Sequence, residues 1–146
     1  MPMITHDADL PVAAQDLWAI LYDFAGFLNW AAGGPDGGAT IEIIGEDGIG
    51  MVRRMNIPGI GLVGEKLVAR DADAMTLSYE IVEGNPLGMA TYVATVTLTA
   101  TGDNACHIAW SGDMTAVDGA DEAQVGEGVK GSFMGMTESL VAFAQK

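Results

Sequence analysis

The chain has 146 residues, enough for one domain with a real core and short for two. Its 49% hydrophobic and 18% charged residues exclude a disordered chain. Its 20 acids against 6 bases, a formal net charge of −14, argue against nucleic acid, whose phosphates are bound by Lys and Arg.

In chain order, residues 3–8 predict a first strand. Pro11 then precedes a helix over 12–22, in which Leu17, Ile20 and Leu21 recur at helical spacing beside a second row of Ala14, Trp18 and Tyr22. A second short helix is expected over 24–30, and the Gly/Pro-rich residues 31–38 read as a loop. From residue 40 the period changes to two. Strands are expected at 40–46, 51–57, 62–70, 75–83, 89–99 and 106–117, with Asp47-Gly48 as a hairpin signal between the first two. Leu77, Tyr79 and Ile81 share one face of their strand, opposite Thr76, Ser78 and Glu80. Short turns between such strands imply an antiparallel meander with one buried face. A last helix, 121–145, carries Val125, Val129, Met136, Leu140 and Phe143 on one stripe with Phe133 at its edge. It is the obvious cover for the sheet. The expected fold is α+β: a single domain spanning 1–146, with an antiparallel sheet of six to seven strands, a long C-terminal helix over its apolar face and two short helices after the first strand.

Several stretches then resemble one superfamily. They are Trp18-Ala19-Ile20-Leu21-Tyr22-Asp23-Phe24 with Trp30 behind it, Gly50-Met51-Val52-Arg53-Arg54, Glu65-Lys66-Leu67 ending in Asp71, Leu77-Ser78-Tyr79, Tyr92-Val93-Ala94-Thr95, and Cys106-His107-Ile108-Ala109-Trp110-Ser111. In this order they resemble the START-related superfamily (SRPBCC, Bet v 1-like), which includes polyketide cyclase/dehydrase-like bacterial proteins, the birch-pollen allergen group and plant abscisic-acid receptors. The resemblance implies a helix-grip fold with a cavity between sheet and long helix. It does not imply one activity, because the superfamily holds carriers, receptors and enzymes. Similar bacterial proteins often carry His-Pro after the tryptophan, where this chain has Ala31-Ala32. That departure puts a ligand-site role for the position in doubt.

Strand counting points to one pair. A hairpin turning near residues 58–61 sets Arg53 opposite Glu65 and Met55 opposite Val63, so an apolar face of Met51, Met55, Ile57, Val63 and Leu67 is interrupted by opposite charges. Buried charges persist when paired. The resemblance to the hormone receptors places these positions at the border of a ligand cavity. Two readings stand: a cross-strand ion pair near a rim, or a pair that orients a ligand or moves a proton. Tyr79 and Tyr92 face inward, each either a core aromatic or a donor to a ligand carbonyl. Trp110 is expected inward opposite Ala94, as a cavity wall.

His107, Ser111 and Asp113 stand in one row on the polar face and lack the arrangement of a hydrolytic triad. Gly59, Gly61 and Gly64 match G-x-G-x-x-G but lie between antiparallel strands, with no helix to hold a pyrophosphate. They read as a flexible hairpin; in the similar hormone receptors a loop here gates the ligand. Gly128, Gly131 and Gly135 make a stripe on the last helix, for tight packing or for ligand volume.

The expected function is binding of a small, largely apolar metabolite (lipid, polyketide, terpenoid or aromatic). Met51, Met55, Ile57, Val63, Leu67, Ile81, Trp110, Val129 and Met136 would form its walls, and Arg53, Glu65, Tyr79 and Tyr92 would orient it. The alternative is a cofactor-independent cyclase, dehydratase or lyase, with Glu65 as base and Arg53 or Tyr79 stabilising an enolate oxygen. A third use is a protein-interaction module presenting the 59–64 hairpin.

One Cys and two distant His give no zinc spacing, and a lone Cys106 fits a reducing compartment. No apolar run reaches the roughly 18 residues of a membrane span, anionic membrane surfaces are disfavoured by the charge, and residues 1–7 lack signal-peptide regions. The expectation is a cytoplasmic, metal-free and cofactor-free protein without membrane insertion. A homodimer stays open.

Overall fold

The computed structural model describes residues 3–146. The period-two segments form seven strands: β1 (Met3–Leu10), β2 (Thr40–Ile44), β3 (Val52–Ile57), β4 (Gly61–Asp71), β5 (Thr76–Glu83), β6 (Met89–Gly102) and β7 (Ala105–Ala116). The 3.6-period segments form α1 (Ala14–Tyr22) and α2 (Glu122–Ala144). All neighbouring strands are antiparallel, in the order β1-β7-β6-β5-β4-β3-β2. β1 pairs with β7, and every other pair is consecutive in sequence. The chain lays down one edge, crosses through α1, and returns as a meander from the far edge. This is the expected α+β helix-grip arrangement.

Each helix buries one stripe. α1 turns Ala14, Leu17, Trp18 and Leu21 inward. α2 opens on Asp121, whose carboxylate accepts from the Ala123 N–H at 3.0 Å and satisfies one free donor of the first turn. Its buried stripe runs through Val125, Val129, Phe133 and Leu140. Phe133, expected at the edge, is its fully buried centre, whereas Met136 and Phe143 are only partly buried.

Three local details differ from the expectation in form or extent. The short helix expected over 24–30 forms as a 3₁₀ helix, Phe24–Asn29. A Cβ on Gly26 would meet the Asp23 carboxylate, which would have to swing aside. A short 3₁₀ turn, Gly34–Asp36, also interrupts the 31–38 loop. The β2–β3 hairpin forms as expected, with its connection running over residues 45–51 where 47–50 was expected. Gly45 (φ 92°) ends β2 early, and Gly48 and Gly50 also adopt positive φ before β3 begins.

Trp110 pairs with Val96, two residues from the expected Ala94, which instead faces Gly112. The space over Gly112 is filled, because a Cβ there would sit 2.8 Å from Tyr92 and 3.1 Å from Phe133. Trp110 is therefore core. Its ring stacks on Phe133 at 5.3 Å and its Nε1–H donates to Thr137 Oγ1 at 2.9 Å. The Thr137 hydroxyl in turn donates to the Phe133 carbonyl at 2.8 Å, so this buried polar group is satisfied.

The glycine stripe does not pack tightly. Cβ atoms on Gly128, Gly131 and Gly135 would meet nothing within 4 Å. The close approach is at Gly126, where a Cβ would lie 2.8 Å from Ile4 of β1. No described helix is long and apolar enough to cross a membrane.

Candidate functional site

Strands of the sheet, α2 and the segment after α1 enclose a cavity of about 430 Å³. β3 and β4 contribute Met55, Ile57, Val63 and Glu65, while β5 and β6 contribute Tyr79, Met89 and Tyr92. α2 supplies Val129, Ser132, Gly135, Met136 and Ser139. The segment after α1 supplies Phe27, Ala31, Ala32 and Gly37. Two turns close the ring: Pro58 and Ile60 between β3 and β4, and Pro86 and Leu87 between β5 and β6. Ile60 and Leu87 are about 40% exposed apolar tips, so these turns mark the mouth.

Backbone strain collects here. Ala32 (φ 55°) and Leu87 (φ 58°) are cavity-lining residues in the left-handed region that disfavours side chains. Gly84, also at positive φ, allows the β5–β6 turn to pass against the Leu62 carbonyl, where a Cβ would clash.

The walls are mainly apolar, with five polar side chains: Glu65, Tyr79, Tyr92, Ser132 and Ser139. The first three are the deepest. β4 is irregular on both sides of Glu65, with register shifts at residues 64/65 and 67/69, and such bulges re-aim side chains.

Arg53 pairs across to Glu65 as the strand counting expects. Its Nε and Nη2 both lie 2.8 Å from Glu65 Oε1, and Nη1 donates to the Phe24 carbonyl at 3.1 Å. The guanidinium is sandwiched by Phe24 (3.8 Å to the ring centre) and Phe27 (4.0 Å), with Tyr79 at 5.0 Å. Only 5% of its side chain is exposed, against 12% for Glu65. Glu65 Oε2 receives no hydrogen bond among the described residues, yet no buried polar side-chain atom there is left without a partner. Oε2 therefore keeps access to the cavity. Glu65 faces the cavity, and Arg53 holds it from behind.

The Tyr79 and Tyr92 rings meet edge to face at 6.2 Å, and Tyr92 stacks on Phe133 at 6.4 Å. Burial pushes the Tyr79 phenol well up, helped by the Glu65 charge. Tyr92 is raised by burial first, then by Tyr79 and Glu65. Both phenols stay protonated at neutral pH and can donate.

Of the residues expected at the site, the structure brings Met55, Ile57, Val63, Glu65, Tyr79, Tyr92, Val129 and Met136 to the cavity wall. Met51, Leu67 and Trp110 are buried in the core instead. Ile81 packs against that core, and Arg53 is sealed behind the phenylalanines. Strand alternation assigns a face, and the cavity occupies only part of that face.

Ala31 and Ala32 do line the cavity, although their departure from the expected His-Pro had put a role for that position in doubt. Sequence reasoning missed Phe27, Met89, Ser132 and Ser139. The serines had a signal, since Ser132, Gly135, Met136 and Ser139 recur at i, i+3, i+4 and i+7. His107 lies away from the cavity, its Nδ1 2.8 Å from Asp9 Oδ1. Among the described residues there is no group of three or more His, Cys, Asp or Glu placed to hold a metal.

A family model described as polyketide cyclase / dehydrase and lipid transport matches residues 1–146. No curated protein sequence matches the chain. Norcoclaurine synthase from Thalictrum flavum, in complex with dopamine and hydroxybenzaldehyde, superposes with a TM-score of 0.76 at 22% identity, covering 99% of this chain and 86% of that one. XoxI from Bacillus cereus gives 0.81 at 19% identity, covering 100% and 97%. Ara h 8.0201 gives 0.77 at 20%, covering 99% and 97%. At these identities the likeness concerns the fold.

Proposed function

This chain belongs to the polyketide cyclase / dehydrase and lipid transport family, and on that premise we propose that it binds a small, largely apolar molecule in the cavity, polar end toward Glu65, Tyr79 and Tyr92. The observation that carries this reading is the cavity itself. About 430 Å³ of mainly apolar space with a few convergent polar groups is the usual character of a small-molecule site. The dopamine and hydroxybenzaldehyde held by the Thalictrum synthase agree in size and character with such a ligand.

The test is to fill the space. Ser132→Trp on α2 places an indole at the cavity wall from a partly exposed position. It should abolish binding of apolar fluorescent probes while leaving the thermal midpoint within a few degrees. Unchanged probe affinity in a folded variant would contradict the proposal.

A second reading, proton transfer on the bound molecule, is favoured by one observation: Glu65 Oε2 has no hydrogen-bond donor on it and two neutral phenols nearby. In this version Glu65 is the base and Tyr79 or Tyr92 supports a developing oxyanion; Arg53 acts only through Glu65. Glu65→Gln that loses turnover but keeps affinity would favour the enzyme over the carrier.

A further inference from the structure

We propose that the ligand's polar end bears no negative charge and donates a hydrogen bond to Glu65, which makes it an alcohol, a phenol or an amine. This rests on the cavity being the binding site and names the chemistry it selects.

Among the described residues the cavity wall contains no Lys, Arg or His. The nearest cation, Arg53, is turned away from the cavity. Its Nε and Nη2 are turned to Glu65 Oε1 and its Nη1 to the Phe24 carbonyl, while Phe24 and Phe27 cover its two faces. No part of Arg53 reaches the cavity wall. What the ligand meets at the deep end is therefore Glu65 Oε2, an acceptor with no donor of its own.

The cavity section of α2 is its middle, residues 129–139, so the positive end of the helix dipole is not directed there. Tyr79, Tyr92 and the two serines can donate to a neutral carbonyl or hydroxyl. They could also donate to an anion, but a second carboxylate buried beside Glu65 would face a like charge in a poorly solvated space. With a formal charge of −14, the chain also repels anions at long range.

The experiment is a headgroup series on one tail: 4-phenylbutanol, 4-phenylbutylamine and 4-phenylbutyrate, titrated calorimetrically at fixed neutral pH and ionic strength. The alcohol and the amine should bind at least about tenfold more tightly than the acid, and Ser132→Trp should remove all binding. Glu65→Gln should bring the three to within about threefold of one another, the amine losing most. If that variant does not fold, the ratio in the unmodified chain decides alone. Acid binding as tight as the alcohol, and lost in Ser132→Trp, would overturn the headgroup inference while leaving the cavity as a binding site. No binding by any of the three to the unmodified chain would overturn both.

Discussion

Arg53 and Glu65 meet through one carboxylate oxygen: two guanidinium nitrogens approach Oε1, and Oε2 is left to the cavity. This asymmetry turns a cross-strand ion pair into a fixed acceptor. The arginine sets the direction of the carboxylate, the 3₁₀ segment seals the arginine, and the ligand meets the remaining oxygen.

The pair is buried on both sides, so removing one partner exposes the cost of the other. Arg53→Met should destabilise the fold by about 3–5 kcal/mol, because Glu65 is left as an uncompensated charge and the Phe24 carbonyl loses its donor. Replacing both residues, Arg53→Met with Glu65→Leu, should recover much of that loss. Urea denaturation of the single and double variants checks this; a single variant within 1 kcal/mol of the parent would show that the pair is solvent-screened.

Stability should fall at alkaline pH. The folded-state values of Tyr79 and Tyr92 are raised by burial, so the folded chain holds phenolic protons that the unfolded chain releases near pH 10. Below that the two states bind the same protons and the phenols contribute no slope. Above it each tyrosine costs about 1.4 kcal/mol per pH unit until its own folded value is reached. Tyr79→Phe should flatten the decline between pH 10 and 11. An equal slope in the variant would mean that the phenol ionises as freely inside as outside.

Gly112 is the point where β7 passes beneath the Tyr92 and Phe133 rings. Gly112→Ala should cost about 1–3 kcal/mol through the 2.8 Å approach to Tyr92, and tilt a ring that lines the cavity. Near-ultraviolet circular dichroism and the denaturation midpoint should shift together. A neutral substitution would mean that the stack can slide.

Leu87 holds a left-handed conformation at the mouth of the cavity. Leu87→Asn should raise stability by roughly 0.5–1 kcal/mol, because asparagine tolerates that geometry better. It should also change the rate at which probes enter. Lower stability would show that the leucine's contacts outweigh its strain.

Much of this was legible in the residues. Period two set the inward faces, and the short turn at Pro58–Gly61 set Arg53 against Glu65, because a one-residue slip would have turned the apolar face to water. A two-residue slip keeps the faces, and that is how Trp110 was assigned to the wrong partner. Alternation cannot detect such a shift, and the ladder is broken near the 102–105 turn. Nor could local pattern reveal the sandwich around Arg53. Phe24 and Phe27 belong to a 3₁₀ segment placed by tertiary packing, about thirty residues from the charge they cover.

The central claim is that the cavity holds a molecule, and native mass spectrometry tests it most directly. The chain purified from its own host, alongside Ser132→Trp, should carry a small-molecule adduct in the parent only. That adduct should be released on denaturation, and its mass should correspond to a compound without an acidic group. A parent that always appears at the bare chain mass, indistinguishable from the blocked variant, would contradict the account.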